Sequence, residues 1–404
     1  MPTRIPSALI VAALGLTQVI GYGTLYYAFS VLTGSIGTSL GWSQAWMYGA
    51  LSAALLFGGL ISPVSGQLVD RFGAARVMAA GSVLSGLTLV LAGLAPSGWV
   101  YAIALIAMEM ASTLVLYATA FAALVQLDKV GAQRSITHLT LIAGFASTVF
   151  WPLTAGLLHW LDWRGVYLVF AALNVLLCAP IHAWMARFPR QDSAVPVAST
   201  AEPTSSKTSG FSPVFIALML GFAIEGFILA AILMHIAPML STLGLGGVGI
   251  LITTLFGPAQ VLSRFINMIF GKGLRQTHLA IFAAALPPAG LLVLALGAPN
   301  YVAGVVFAIL FGLGSGLTSI TSGSLPLELF GSDRYGMRLG WLSSARQIAS
   351  AVGPFLLAIL MSSFGVPSAL AVVVLLGAAS TLLFVRIALS QRLPPSREAE
   401  VASL

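Results

Sequence analysis

Three charged side chains sit deep inside long apolar runs of this chain: Glu109, Glu225 and Arg264. An ionisable group near a bilayer centre costs at least ~2.5–3.5 kcal/mol on insertion scales, so each should face a cavity or a partner. Glu109 lies about 16 Å into the run that starts at residue 98, and Glu225 is similarly deep in the run 212–241. Carboxyls stripped of hydration at that depth are candidates for taking up and releasing protons; the competing role is a protonated or hydrogen-bonded structural group. Arg264 lies about 12 Å in from Lys272, and guanidinium cannot shed its charge. Anion binding, an internal salt bridge and snorkelling to the surface all remain open for it.

Other side chains could join them as substrate contacts. Tyr22, Tyr26 and Tyr27 offer hydroxyls to a polar ligand and rings to an apolar one, unless they form an outer aromatic belt. At helical spacing Tyr22 and Tyr26 share a face, as Tyr27 nearly does. His235 lies ten residues beyond Glu225 and either relays protons, meets substrate or packs as a hydrogen-bonded core histidine. Trp151 is a further candidate. Arg346 is expected to act at a gate, with Glu328 as its partner or with snorkelling. His138, His159, His182 and His278 lie near run ends, where solvated roles suffice. The scattered histidines and the single Cys178 give no metal-ligand spacing, so neither a metal nor another cofactor is expected.

These residues are positioned by membrane helices. Hydrophobic residues make up 58% of the 404 and charged ones only 7%, which excludes a soluble domain. The runs lack the period-two alternation of a β-barrel, so the chain is predicted to be an all-α membrane protein. Breaking it at charges and Gly/Pro clusters predicts twelve spans, near 8–34, 44–69, 75–95, 98–127, 135–160, 165–187, 212–241, 246–271, 277–297, 301–329, 338–364 and 367–389. The first run is too long for a signal peptide and is expected to stay as a span. The Ser/Thr/Pro/Ala-rich segment 188–210 reads as a flexible cytoplasmic tether between a six-helix half, 1–187, and a second, 211–391, with a cytoplasmic tail at 392–404. LFGGLISPVSG in span two and LFGPAQVLSRF in span eight echo each other, as the paired halves of transporters do.

All Lys and Arg except Arg164, Arg264 and Arg346 fall at the termini, in the tether or in even-numbered connections. Both termini are therefore expected in the cytoplasm, with the chain in a bacterial-type inner membrane. This topology accounts for the net charge of +7 without a nucleic-acid partner.

The connection between spans two and three reads GQLVDRFGAARVM. Gly66, Asp70, Arg71, Gly73 and Arg76 form the pattern G-x-x-x-D-R-x-G-x-x-R, which resembles the signature loop of the major facilitator superfamily. Ala74 and Ala75 stand where that family often has another basic residue. The resemblance implies the twelve-helix fold, alternating access, and a central cavity lined by helices one, four, seven and ten, with Glu109 and Glu225 in its wall. It also implies that Asp70 caps the cytoplasmic end of the eleventh helix and that Arg76 reaches Asp128, latching the halves in an outward-open state.

A narrower resemblance links HIAPML in span seven and GPAQVLSRF in span eight to the monocarboxylate and oxalate/formate transporter branch. It implies that Arg264 binds a substrate carboxylate. The chain departs from that branch at Gln260, where animal members carry aspartate, and at GYGTLYYAF, where an acidic tryptophan-bearing motif is usual. Trp151 and Pro152 loosely resemble the fifth-helix motif of superfamily antiporters, which points toward export.

Together these readings predict a secondary transporter, not an enzyme: a phosphate-cradling loop and a nucleophile–base pair are both missing. The expected partners are lipid, a small-molecule solute and protons, and the superfamily resemblance implies a monomer. The leading expectation is proton-coupled transport of a small organic anion such as a monocarboxylate. The alternative is a proton-driven exporter of hydrophobic or cationic compounds.

Overall fold

The computed structural model describes residues 6–191, 212–271 and 273–391. Most of the expected tether, from 192 on, and the expected tail from 392 lie outside the described residues. Every regular element among the described residues is helical, because in lipid each backbone N–H and C=O must find its partner within its own segment.

The first half consists of α1 (Ser7–Leu40), α2 (Gln44–Phe72), α3 (Ala74–Gly93), α4 (Gly98–Leu127), α5 (Ala132–Leu157) and α6 (Trp163–Met185). The second begins with α7 (Pro213–Leu240), and α8 covers 246–270 as two pieces, Gly246–Thr254 and Phe256–Phe270. α9 (Gln276–Gly297) and α10 (Tyr301–Phe330) follow. Tyr335–Ser390 runs on for 56 residues, which at helical rise would be about 84 Å and far exceeds a bilayer. Gly365, at φ 78° and ψ 163°, breaks it into α11 (335–364) and α12 (366–390). The described helices are thus consistent with the twelve expected.

Several helices that begin after odd-numbered connections start on short polar caps. Ser43 Oγ accepts from Trp46 N–H at 3.4 Å, Asp162 Oδ1 from Gly165 N–H at 2.8 Å and Asn300 Oδ1 from Val302 N–H at 2.8 Å. The opposite face holds the even-numbered connections and most of the arginines, and is called the basic face below. Its tightest turn is at Gly73, whose φ of 95° lets α2 reverse directly into α3.

Buried apolar residues fall into three clusters. One draws on both halves, with Leu14, Phe121 and Leu139 packed together with Phe222, Leu339 and Phe384. The other two stay within one half each, around Phe29, Tyr101 and Phe170 in the first and Ile232, Phe307 and Val373 in the second. The shared cluster includes Val69, Ala74 and Tyr335, next to the basic-face connections. The halves are therefore fused on that side, while each keeps its own core toward the other.

His182 departs from its expected solvated role. It is 1% exposed, with Nδ1 2.9 Å from Ser82 Oγ and Nε2 3.0 Å from Thr17 Oγ1, tying α6 to α3 and α1. Proximity to a span end does not mean solvent contact when neighbouring helices extend past it.

Candidate functional site

The signature loop places Asp70 at the last turn of α2, facing the first turn of α11. Its Oδ1 accepts from Gly336 N–H at 2.9 Å and its Oδ2 from Met337 N–H at 2.8 Å. A carboxylate on the unpaired N–H groups of a helix start is favoured both by hydrogen bonding and by the helix dipole. Gly66 makes this approach possible, since a Cβ there would overlap the Gly336 carbonyl. Arg71 lies over the Phe72 ring at 5.1 Å.

The second implied contact is not formed among the described residues. Asp128 Oδ1 accepts from Gly131 N–H at 3.2 Å, and its Oδ2 is buried without a partner. The turn that ends α4 directs this carboxylate back to its own connection and away from Arg76. Arg76 instead borders a basic-face cleft with Phe72, Gln126, Phe188 and Arg190.

At mid-depth Arg264 is 6% exposed. Its Nε donates to Ser319 Oγ at 3.0 Å and to Gly316 O at 3.4 Å on α10. Its Nη1 donates to Thr140 O at 3.2 Å on α5, in the other half. Every one of these acceptors is neutral, and Nη2 makes no hydrogen bond to a described residue. Gln260, one turn earlier, donates to Ser315 Oγ at 2.7 Å and supplies no counter-charge.

Tyrosines face this guanidinium across the gap between the halves. A π-helical turn at Gly23–Tyr27 changes their spacing, because its hydrogen bonds span five residues. Tyr27, not Tyr26, therefore comes beside Tyr22, with ring centroids 6.5 Å apart. Tyr117 of α4 packs on Tyr22 at 4.7 Å, and Trp151 of α5 meets Tyr27 edge-on at 5.9 Å. Arg264 lies within electrostatic reach of Tyr27 and Tyr117, and Arg346 of Tyr22, Tyr26 and Tyr117. Tyr26 and Trp151 are half exposed.

Arg346 also lines a cavity of about 10 Å³, close to the room one water needs, together with Glu225, Pro287, Ser315 and Thr318. Glu225 is buried there; its Oε1 accepts from Ser380 Oγ at 3.2 Å and its Oε2 from Thr318 Oγ1 at 3.4 Å. Glu328, the partner anticipated for Arg346, instead accepts from Gln276 N–H at 2.8 Å. Glu109 is buried on the opposite side of the centre, and its Oε1 accepts from Gln347 Nε2 at 3.4 Å. His235 spends Nδ1 on Ala231 O at 3.0 Å, one turn back on its own helix, and stays outside this constellation.

Several participants had not been singled out from the sequence, among them Thr140, Ser319, Thr318 and Ser380, and two of the others carried a signal there. Gln347 was signalled by a polar Arg–Gln pair inside an apolar run, and Tyr117 by its place on α4 beyond Glu109. Among the described residues no three His, Cys, Asp or Glu side chains converge on a possible metal position.

A family model described as Major Facilitator Superfamily matches residues 14–336. Among solved structures, the human organic anion transporter MFSD10 (TETRAN) superposes with a TM-score of 0.73 at 14% identity, covering 94% of this chain and 100% of that one. The proton:xylose symporter XylE, bound to 6-bromo-6-deoxy-D-glucose, gives 0.72 at 13% identity over 94% and 96% of the two chains. FucP in the outward conformation gives 0.69 at 13% over 94% and 99%. At such identities the likeness is one of fold. No curated protein sequence matches this chain.

Proposed function

Because the chain belongs to the major facilitator superfamily, whose members carry small solutes across membranes, we propose that it couples protons to the movement of a small organic anion. Arg264 carries this reading: a buried, permanently charged guanidinium whose described partners are all neutral leaves one nitrogen for a ligand. A carboxylate is the natural complement, since it accepts from guanidinium through charge-assisted bonds. Tyr27, Tyr117 and Trp151 supply the facing wall, and a compact monocarboxylate suits a space bounded by so many rings.

Charge balance supplies the coupling. Arg264 and Arg346 stay ionised, whereas Glu109 and Glu225 can be neutralised by protons. Protonating either carboxyl raises the positive charge of the centre and draws in an anion; releasing the proton after the anion leaves restores the balance. In a low-dielectric interior this linkage is strong, because each uncompensated charge is expensive. Asp70 on α11 holds the basic face shut. By the distribution of Lys and Arg that face is the cytoplasmic one, so the site opens outward, and the chain works as a monomer in a bacterial-type inner membrane with both termini inside.

The half-exposed Tyr26 and Trp151 favour a second reading, a proton-driven exporter of hydrophobic or cationic compounds. Purified protein in liposomes that trap a pH-sensitive dye separates the two. Proton entry on adding small carboxylates, lost in Arg264→Ala, supports anion symport. Proton release driven only by lipophilic cations, or full anion transport by Arg264→Ala, overturns it.

A further inference from the structure

The seam between α2 and α11 is closed from the basic face up to the level of Glu109. Asp70 meets Gly336 and Met337, Gly340 lies on the Ser62 carbonyl, and Gly59 lies on Ile348. Gln347 sits at the top of this seam, about 16 Å above Gly336. It belongs to the second half, yet both ends of its amide bond to the first: Nε2 donates to Glu109 Oε1 on α4, and Oε1 accepts from Ser62 Oγ on α2 at 3.2 Å. Gly58 leaves the room, since a Cβ there would press on Glu109 Cγ.

The two ends of an amide are not interchangeable. The nitrogen only donates and the oxygen only accepts, so Gln347 is matched to a Glu109 that accepts. An ionised Glu109 receives a charge-assisted bond; a protonated one receives a neutral bond of roughly half the strength. Turning the amide over would let Oε1 accept from a protonated Glu109 while Ser62, still donating to Gly58 O at 2.8 Å, accepts from Nε2, but every bond in that arrangement is neutral and the charge-assisted one is lost. Few other charges act here. From α1, Tyr26 lies within electrostatic reach of Glu109; on α11, Arg346 precedes Gln347 and faces the Glu225 cavity. Between Tyr48 and Asp70 on α2, and beyond Arg76 on α3, the sequence holds no titratable side chain.

We propose that Gln347 is the positioning residue through which the protonation of Glu109 controls the α2–α11 seam, an ionised Glu109 holding it closed and a protonated one releasing it. This rests on the reading of Glu109 as a proton-exchanging group. Its direction suits symport, since a proton arriving from the open side would loosen the closed one.

Spin labels at Phe72→Cys and Asp333→Cys, exposed positions flanking the basic end of the seam, test this in Cys178→Ser protein in liposomes without substrate. Distances are read by pulsed electron resonance between pH 5 and pH 9. The unaltered seam should be short at high pH and gain a longer component as pH falls. Gln347→Leu should carry the longer component at every pH, with the open-to-closed ratio at pH 9 raised roughly tenfold, the factor for one hydrogen bond to a charged group. Glu109→Gln should likewise lose the pH dependence. Ser62→Ala, which spares the Nε2 bond, should retain it and guards against a folding defect in Gln347→Leu.

Should Gln347→Leu keep the normal pH transition while Glu109→Gln abolishes it, Glu109 exchanges protons but does not act through Gln347, and the proposal fails alone. A pH transition that survives in Glu109→Gln, or none in the unaltered protein, removes the proton-exchange reading of Glu109 as well.

Discussion

Removing the Asp70 carboxylate should open the basic face by an amount that the structure allows to be worked out. Asp70→Ala deletes two hydrogen bonds to the α11 start, at 2.9 and 2.8 Å, and leaves two helix N–H groups unpaired. A bond to a charged group contributes about 1.5–3 kcal/mol, and the lower figure applies because Asp70 is only half buried. Two such bonds come to about 3 kcal/mol, or roughly a hundredfold in the closed-to-open ratio. The contacts of Gly66 and Gly340, and the bond from Arg190 Nη1 to the Asp70 carbonyl at 3.3 Å, survive the change. Asp70→Asn keeps one acceptor and should give about a tenfold effect. The assay is alkylation of a cysteine at Leu339, which is buried in the cluster joining the halves, by a membrane-impermeant maleimide in Cys178→Ser protein. Its rate reports the open population. An Asp70→Ala rate equal to that of the parent would mean that the carboxylate caps α11 without holding the halves together, and the latch would have to be sought elsewhere in the seam.

Two further outcomes follow from the buried polar groups. Glu225→Gln, which keeps an acceptor for Ser380 or Thr318, should uncouple flux from the pH gradient while counter-exchange of substrate survives; loss of exchange as well, in the liposome assay, would mark Glu225 as structural. His182→Leu should lower thermal stability by about 1–3 kcal/mol, because Ser82 and Thr17 lose their shared partner, without changing the pH profile of transport. A shifted profile in that variant would bring His182 into the proton path.

Span positions, the all-helical class and the depth of the ionisable groups were legible without coordinates. Hydropathy is a local property, and a bilayer makes it decisive: a helix in lipid satisfies its own backbone, so each crossing can be read one run at a time. Asp70 was legible for a related reason. A short turn between two helices, with glycines at Gly66 and Gly73, leaves its carboxylate little choice of neighbourhood. For the same reason the residues were easier to place in depth than in direction.

Direction and partnership came only with tertiary packing. Helical spacing put Tyr22 and Tyr26 on one face with Tyr27 nearly on it, and a π-helical turn at Gly23–Tyr27 decides between them by bringing Tyr27 beside Tyr22. Asp128 stands near the right end of α4 for Arg76, yet a local turn captures it first. His182 sits near a span end and is still sealed by α1 and α3. Arg264 reaches Thr140 and Glu109 meets Gln347 across the boundary between the halves. Such pairs are separated by more than a hundred residues, and no periodicity within one helix encodes which face of another it will meet. Hydrophobic burial tells a helix only that a face must be covered; the shape of the two halves when fused along the basic face decides what covers it.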